Sequence, residues 1–483
     1  MNNMKVKHFN TRQVFDNSGV AFGTSGVRGL VDEFTPEVCS AFMHSFVDVI
    51  KDEINVSVVA IAIDNRPSSP RIAQHCISAL NCLGIDTIYF GVVPTPALAF
   101  ISIKDKIPSI MITGSHIPFD RNGIKFYRHN GEINKKDEYR IYNASIDFDM
   151  TVPESEVNLS VNTSAMDEYI NRYVSLFPCD FFKNKRIGIY EHSSAGREIY
   201  YKVFQMLGAE VIRLGRSDEF VPIDTEAVSQ EDIMKAREWS SQYKLDMIFS
   251  TDGDGDRPLV SDEHGEWIRG DILGLLCSRA LSIEAVALPV SCNTAIDSSG
   301  FFESTVKTKI GSPYVIDALN DLKAKYKYVA GFEANGGFML GSDIEYNGNI
   351  ISSLPTRDAL LPALMVLALS TNQCISSLTS KLPQRFTFSD RIQNFPASES
   401  SKLISAAMDN PSGFISKFGL NLVFSSVDLT DGVRFLFSNG DVVHLRASGN
   451  APELRCYAES DCLEKSISYV NSIFKELEKS VQI

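Results

Sequence analysis

Apolar positions along this chain fall into two kinds of block. Val58–Ile63 (VVAIAI), Ser109–Ile112 (SIMI), Arg186–Tyr190 (RIGIY) and Leu245–Ser250 (LDMIFS) are short, largely β-branched runs, the pattern of strands buried on both faces of a sheet. Other stretches repeat their apolar residues at helical spacing, from about Arg71 to Leu83 and again up to Leu207. The two kinds alternate in a way that repeats. Val58–Ile63 leads through the polar loop DNRPSS into a helix and back to LGIDTIYFG, and Arg186–Tyr190 leads through EHSSAG into a helix and back to LGAEVIRLG. Each copy reads strand, polar turn, helix, Leu-Gly-x-acid, strand, Gly. That is a βαβ unit used twice, and it predicts parallel sheets covered by helices. A third copy near Ala285–Val290 is too faint in the sequence to count.

Two breaks divide the pattern. The polar, aperiodic stretch Met150–Ser164 precedes a helix predicted over Ala165–Phe177, and the apolar helix LLPALMVLAL gives way to mixed polar sequence over Ser370–Pro383. Beyond it the character changes. Asp431–Ser448 reads as a hairpin turned at Asn439-Gly440, and Cys462–Ser480 as a terminal amphipathic helix. The expected fold is therefore α/β with a C-terminal α+β part.

Composition narrows the class. The 483 residues are 44% hydrophobic and 22% charged, ordinary for a chain with several cores, which sets aside disorder and coiled coil. Acidic residues outnumber basic ones 60 to 46, a net charge of −14. A surface of that sign repels polyphosphate, so nucleic acid is not an expected partner. The nine cysteines are scattered, odd in number and without a CxxC, which fits neither a disulfide framework nor a zinc knuckle and suits a reducing cytoplasm. The first residues lack an apolar signal region, and the longest greasy stretch, Leu360 to Leu369, is about half a membrane span, so no membrane association is expected. Nothing in the sequence selects between a monomer and a homodimer.

Four loops carry chemistry. In Thr113-Gly-Ser-His-Ile-Pro118, Ser115 follows an apolar strand, where open α/β sheets place ligands; His116 and Lys125 are at hand to manage a proton. The G-x-S-x-G elbow of acyl-transfer enzymes is absent. In Asp252-Gly-Asp-Gly-Asp-Arg257, carboxylates at i, i+2 and i+4 share one face of an extended segment and would repel strongly without a divalent cation. Oxygen donors alone point to Mg²⁺, with Ca²⁺ or Mn²⁺ as alternatives, and away from Zn²⁺. An EF-hand fails because Arg257 stands where the loop needs Gly and Pro258 follows. In Gly331-Phe-Glu-Ala-Asn-Gly-Gly337, Glu333 and Asn335 are two apart, so an extended backbone would project both to one side, a pairing suited to sugar hydroxyls or to a plain glycine-rich hairpin. In Arg446-Ala-Ser-Gly-Asn-Ala-Pro-Glu-Leu-Arg455, two guanidinium forks and the amides around Gly449 suit a phosphate. Phe22-Gly-Thr-Ser-Gly-Val-Arg-Gly29 adds Arg28 among glycines but matches neither a Rossmann fingerprint nor a P-loop.

Together, FGTSGVRG, TGSHIP with NGIKFY, DGDGDR, GFEANGG and RASGNAPELR resemble, in this order, the α-D-phosphohexomutase family, over nearly the whole chain from Phe22 to Arg455. The resemblance implies three similar mixed-sheet α/β domains (1–162, 163–268 and 269–380) and a C-terminal α+β domain (381–483) around a central cleft. It implies a mutase that moves phosphate between C1 and C6 of a hexose through phosphoserine at Ser115 and a hexose 1,6-bisphosphate. Asp252, Asp254 and Asp256, with a phosphate oxygen on Ser115, would hold one Mg²⁺. Arg28, His116, Lys125 and Arg257 would surround the transferring group. Glu333 and Asn335 would bind sugar hydroxyls; Lys309, Gly311, Arg446, Ser448, Gly449, Asn450 and Arg455 would complete the substrate site. The physics agrees: such a transfer needs two anion sites a sugar length apart, with cations on the moving phosphoryl group. This sequence departs from many relatives at Asn335, Gly337 and Ala451, where Ser, His and an acidic residue are common. Mannose phosphates are the expected substrates, since the EANGG loop resembles that of some bacterial phosphomannomutases. Glucose or glucosamine phosphates, a metal-dependent phosphatase and a non-catalytic sugar-phosphate or Ca²⁺ binder are the competing readings.

Overall fold

The computed structural model describes residues 7–23, 25–150, 159–447 and 453–481. Three sheets repeat one topology. In the first, Val58–Ile63 lies between the parallel strands Asp86–Val92 and Ser109–Ile112, with Ile61 opposite Tyr89 on one side and Ile110 on the other; Arg121–Arg128 then joins antiparallel and Val27–Leu30 follows. In the second, Arg186–Tyr190 lies between Glu210–Leu214 and Met247–Thr251, followed by antiparallel Pro258–Ser261. In the third, Ala285–Pro289 lies between Ser304–Thr308 and Val329–Phe332, followed by antiparallel Phe338–Leu340.

The faint third copy is therefore real, a correction to the sequence reading. Its crossover helix has shrunk to Ala295–Ser298, one turn, too short to leave a 3.6-residue periodicity. Elsewhere the signals that make the elements are plain. Val59 to Ile63 are all buried, as parallel strands under helices must be. The helix Pro36–Ile50 starts with proline in its first turn and Thr35 as its cap, whose hydroxyl accepts from the Val38 amide.

The last unit is built differently, as an antiparallel sheet in the order Phe386–Gln393, Glu453–Ser460, Val442–Ala447, Val433–Phe437, Phe424–Asp428, with the helix Leu463–Val481 packed on it. Cores follow this division. One apolar cluster runs through the first three units and includes Met111, Phe249, Phe332 and the helix Leu360–Leu369, whose first eight residues are all buried. A helix apolar all round is a core helix. The last unit closes its own core around Phe435, Leu445, Leu454 and Ile473. Among the described residues no helix is long and apolar enough to cross a membrane.

Candidate active site

Each of the first three sheets contributes one loop at the same topological position, between its third parallel strand and the antiparallel strand that follows. These are residues 113–120, 252–257 and 333–337, the three loops singled out in the sequence. The repeated topology brings three chemically different loops together, at the carboxyl ends of parallel strands where open sheets bind ligands.

Ser115 is the meeting point of the first two. Its side chain is buried, and its hydroxyl donates to Asp252 Oδ2 at 2.6 Å. The backbone stands at φ 55°, a left-handed conformation that costs a serine roughly 1 kcal/mol or more. Thr113 holds it there by accepting the Ser115 amide at 2.8 Å, and Thr113 in turn donates to the buried Asp64 at 2.7 Å.

The three aspartates converge, but by a route other than the extended pleat expected from their spacing. Residues 252–257 form a tight turn closed by Gly255 N–H to Asp252 O at 3.2 Å and Asp252 N–H to Arg257 O at 3.2 Å. One oxygen of each carboxylate lies within 4.8 Å of the others, and all three side chains are buried. Among the described residues no other trio of His, Cys, Asp or Glu gathers so closely. Lys125 sits beside the turn, its ammonium 2.5 Å from Asp254 Oδ2 and 2.6 Å from Asp256 Oδ2. The other oxygens, Asp254 Oδ1 and Asp256 Oδ1, are buried and accept no hydrogen bond among the described residues. Orphaned buried carboxylate oxygens are costly, and an oxygen-only donor set suits a hard divalent cation, so the residues present fit one. Burial, then Asp254 and Asp256, pushes the Asp252 carboxyl up to about 8. Burial works in the same direction on Asp254, but the Lys125 ammonium, the Thr95 hydroxyl and the Arg357 guanidinium together outweigh it and hold Asp254 below the usual carboxylate range.

Cations close the other side. Arg257 lies 3.9 Å from Asp252 and 3.7 Å from Asp256, and its Nη1 donates to His116 Nδ1 at 2.9 Å. A guanidinium only donates, so Nδ1 is the acceptor and the ring proton sits on Nε2. Burial, then the charges of Arg257 and Arg28, pulls His116 down to about 2, so the ring is neutral. Arg28, on Val27–Leu30 beside the strand carrying Lys125, is lowered to about 10 by burial and by Arg257.

Glu333 and Asn335 also lie on a turn, not on an extended segment: Glu333 O accepts from Gly336 at 2.9 Å. Glu333 is buried and pairs with Arg357 at 3.4 Å, while Arg357 reaches Asp256 at 2.9 Å, linking the third loop to the second. Asn335 Oδ1 accepts from the Gly337 amide, and its carbonyl accepts from Thr225 Oγ1 at 2.8 Å.

The fourth loop lies in the last unit. Arg446 and Arg455 are direct cross-strand partners, with Arg391 next across the sheet, so three guanidinium stems stand in one row. Arg446 pairs with Asp431 at 2.9 Å. Ser448, Gly449 and Asn450 lie outside the described residues. Lys309 is exposed, its ammonium 5.9 Å from the centroid of Tyr314, and Gly311 is buried at the start of the helix Ser312–Lys323.

Comparison with known proteins decides the family. The family model described as phosphoglucomutase/phosphomannomutase, alpha/beta/alpha domain I, matches residues 19–148; domain III of the same family matches 269–386 and its C-terminal domain 399–474. A phosphomannomutase of Salmonella muenchen is 55% identical over 475 residues, 98% of either chain. The chain belongs to the phosphoglucomutase/phosphomannomutase family. A phosphomannomutase of Sinorhizobium fredii is 41% identical over 456 residues, 92% of this chain and 95% of its own. A solved phosphoglucomutase/phosphomannomutase family protein of Burkholderia thailandensis shares the fold, with a TM-score of 0.72 at 17% identity over 94% of this chain and 97% of its own.

In this phosphohexomutase several side chains escaped the sequence reading. Arg357 lies at the end of an ordinary-looking strand, Leu354–Asp358, and nothing local marks it. Thr95, after a Pro94 that reads as a helix start, donates to Asp254 Oδ2 at 2.6 Å. Asp64 and Arg66 sit in DNRPSS, which reads as a solvated turn, yet both are buried behind the serine loop. Their one visible signal was the position of that loop at the carboxyl end of a parallel strand.

Proposed function

We propose that this family member is a phosphomannomutase, interconverting mannose 6-phosphate and mannose 1-phosphate through a phosphoserine at Ser115 and a mannose 1,6-bisphosphate. The observation that carries the chemistry is the buried Ser115 hydroxyl 2.6 Å from Asp252, one of three clustered carboxylates paired with the cations Lys125 and Arg257. The choice of mannose is supported by the 55% identical relative named phosphomannomutase.

The cofactor is Mg²⁺, held by Asp252, Asp254 and Asp256; when bound it supplies positive charge against the oxygens of the phosphoryl group on Ser115. The chain's own residues do the rest. Lys125 ties the Oδ2 atoms of Asp254 and Asp256, and their Oδ1 atoms have no hydrogen-bond partner among the described residues. Arg257 and Arg28 hold positive charge where the equatorial oxygens of a transferring phosphoryl group gather negative charge. His116, neutral and protonated at Nε2, donates a hydrogen bond there without adding charge. The free sugar hydroxyl attacks phosphorus and gives up its proton, the bond to Ser115 Oγ breaks, Ser115 Oγ takes up a proton, and the bisphosphate forms. After the intermediate turns, Ser115 Oγ, oriented by its hydrogen bond to Asp252, loses its proton and attacks the other phosphoryl group; the bond from phosphorus to the sugar oxygen breaks and that oxygen takes up a proton. Glu333 accepts from sugar hydroxyls, with Asn335 beside it. Arg446 and Arg455, with the loop between them and Lys309 and Gly311, grip the phosphate that is not reacting. Burial of Ser115 keeps water from the phosphoserine, which separates a mutase from a phosphatase.

The test is ³¹P NMR of the protein with mannose 1-phosphate, Mg²⁺ and a trace of hexose 1,6-bisphosphate. A signal moving to mannose 6-phosphate supports the reading. Accumulating free phosphate would replace it with a phosphatase, and an unchanged spectrum would reject mannose as substrate.

A further inference from the structure

The row of arginines in the last unit has a neighbour with no assigned task. Asp431 precedes the strand Val433–Phe437 and is partly buried. Its Oδ2 accepts the main-chain amide of Ile310 at 3.0 Å, and the same oxygen lies 2.9 Å from Nε of Arg446. Ile310 stands between Lys309 and Gly311, in the connection from Ser304–Thr308 to the helix Ser312–Lys323 of the third unit. A single carboxylate oxygen thus touches the third unit's Lys309–Gly311 segment and the last unit's Arg446.

The turn that carries Asp431 is braced. Its main-chain carbonyl accepts from His444 Nε2 at 2.5 Å, and His444 is two residues before Arg446 on Val442–Ala447. Gly432 follows at φ 76°, and a Cβ there would meet Leu445 O at 2.3 Å, so only glycine lets the turn lie this close to the strand. The other end of the substrate loop is fixed as well: Ser312 Oγ donates to Glu132 Oε2 of the first unit at 3.0 Å. Residues 309–311 are therefore held between the first unit and the last, and Asp431 makes the second of those holds.

We infer that Asp431 is a positioning residue that aligns Arg446 with the Lys309–Gly311 loop, so that both converge on one phosphate of the substrate. The chemistry supports this role. Asp431 pairs by charge with the Nε edge of the guanidinium, where among the described residues Nε makes no aligned hydrogen bond, and so leaves the two terminal nitrogens for bidentate binding of a phosphate. The amide contact makes the fit of the third unit's loop depend on where the last unit stands. The last unit closes its own core, so its position relative to the third rests on contacts such as this one. Alignment before binding lowers the ordering cost of association, so its loss appears in affinity. The transfer at Ser115 lies on other loops and keeps its geometry.

The inference rests on the proposed role of these loops in substrate binding, and the test separates the two. The full chain, Asp431→Asn and Asp431→Ala are compared in three readouts: hydrogen exchange at the Ile310 amide, the Kd for mannose 1-phosphate in calorimetry, and kcat and KM in the mutase assay. Expected are faster exchange at Ile310 in both variants, Kd and KM raised at least tenfold in Asp431→Ala and less in Asp431→Asn, and kcat within threefold of wild type. Unchanged exchange with unchanged KM would overturn the inference. So would a fall in kcat matched by an unchanged KM, because that assigns the effect to chemistry. If the wild-type chain binds and turns over no mannose phosphate, the functional reading fails, and exchange at Ile310 alone then decides whether Asp431 holds the loop.

Discussion

Arg66 donates to the main-chain carbonyl of Ser115 at 2.8 Å. The same guanidinium donates to the carbonyls of Ile117 at 2.5 Å, Pro118 at 2.7 Å and Arg121 at 3.0 Å, so the serine loop is wrapped round one buried cation. Phe220 of the second unit lies against it, 3.9 Å from Cζ to the ring centroid, and Asp64 balances its charge at 3.2 Å. Gly114 is part of the same fit: a Cβ there would stand 2.6 Å from Arg66 Cζ.

Arg66→Lys should therefore cost kcat heavily and KM little. An ammonium has three donors in a compact cluster and cannot span four carbonyls spread along seven residues of loop. A misplacement of about 1 Å at a reacting group costs on the order of a hundredfold in rate, and that is the expected fall in kcat. Steady-state kinetics with mannose 1-phosphate checks it; a variant within fivefold of wild type would show that the loop holds its shape without this template.

Ser115→Ala and Ser115→Gly should both abolish turnover and both lack a phosphate in intact-mass analysis. They should differ in stability. Alanine keeps the strain of φ 55° and glycine relieves it, so Ser115→Gly should be the more stable of the two by about 1 kcal/mol. Both lose the bond to Asp252, so the comparison isolates the backbone. Thermal melts of the two variants in chelator give the difference, and equal melting temperatures would mean the loop relaxes to another conformation once the hydroxyl is gone.

How much was legible follows from where each contribution resides along the chain. Ser115, Asp252, Asp254, Asp256 and Glu333 stand in compact strings whose composition is itself unusual, and they come together as those strings promise. The convergence of the aspartates was anticipated for the wrong reason, since a turn and not a pleat aims them. The third βαβ unit was illegible because a helix of four residues, Ala295–Ser298, carries no period. Arg66, Arg357 and Asp431 were illegible for another reason. Each has at least one partner distant along the chain, 24 residues away for Arg357 with Glu333 and 121 for Asp431 with Ile310, and a charged residue reads the same in the sequence whether it is solvated or buried.

Removing the Lys125 ammonium should make the protein dependent on metal for stability. In Lys125→Met the carboxylates of Asp254 and Asp256 lose the cation 2.5 and 2.6 Å away. Breaking a buried pair by deleting one partner costs about 3–5 kcal/mol because the other charge is left buried. The variant should melt well below wild type in chelator and recover much of the difference in millimolar Mg²⁺, with a larger metal-induced shift than wild type shows. Thermal melts at several Mg²⁺ concentrations measure this. An equal shift in both proteins would mean that the ion does not share these carboxylates with Lys125.

The last unit should lose stability in mild acid through His444. The ring is buried; Nε2 donates to Asp431 O, and Nδ1 is buried without a partner among the described residues. Burial, opposed by the Asp431 carbonyl, pulls the group down to about 4, against 6.5 in the unfolded chain; Arg434 and Arg446 push the same way as burial, and the Asp431 carboxylate opposes them. A folded-state value below the unfolded one means that, between pH 6.5 and 4, the unfolded chain binds a proton the folded chain refuses. Stability is then full above about pH 6.5, falls as pH drops, and stops falling below about 4. At pH 5 the loss from one such ring is roughly 2 kcal/mol, about thirtyfold in the population that opens. His192 of the second unit is lowered to about 4 as well, mainly by burial, and titrates in the same window, so the signal must come from the last unit itself. Hydrogen exchange of the strand Val433–Phe437, corrected for the intrinsic effect of pH, supplies it. Wild type should lose about thirtyfold in protection between pH 7 and pH 5, and His444→Gln, which keeps a donor for the Asp431 carbonyl and has no proton to gain, should lose far less. A variant whose protection falls as steeply as wild type would move the acid sensitivity of this unit to other groups.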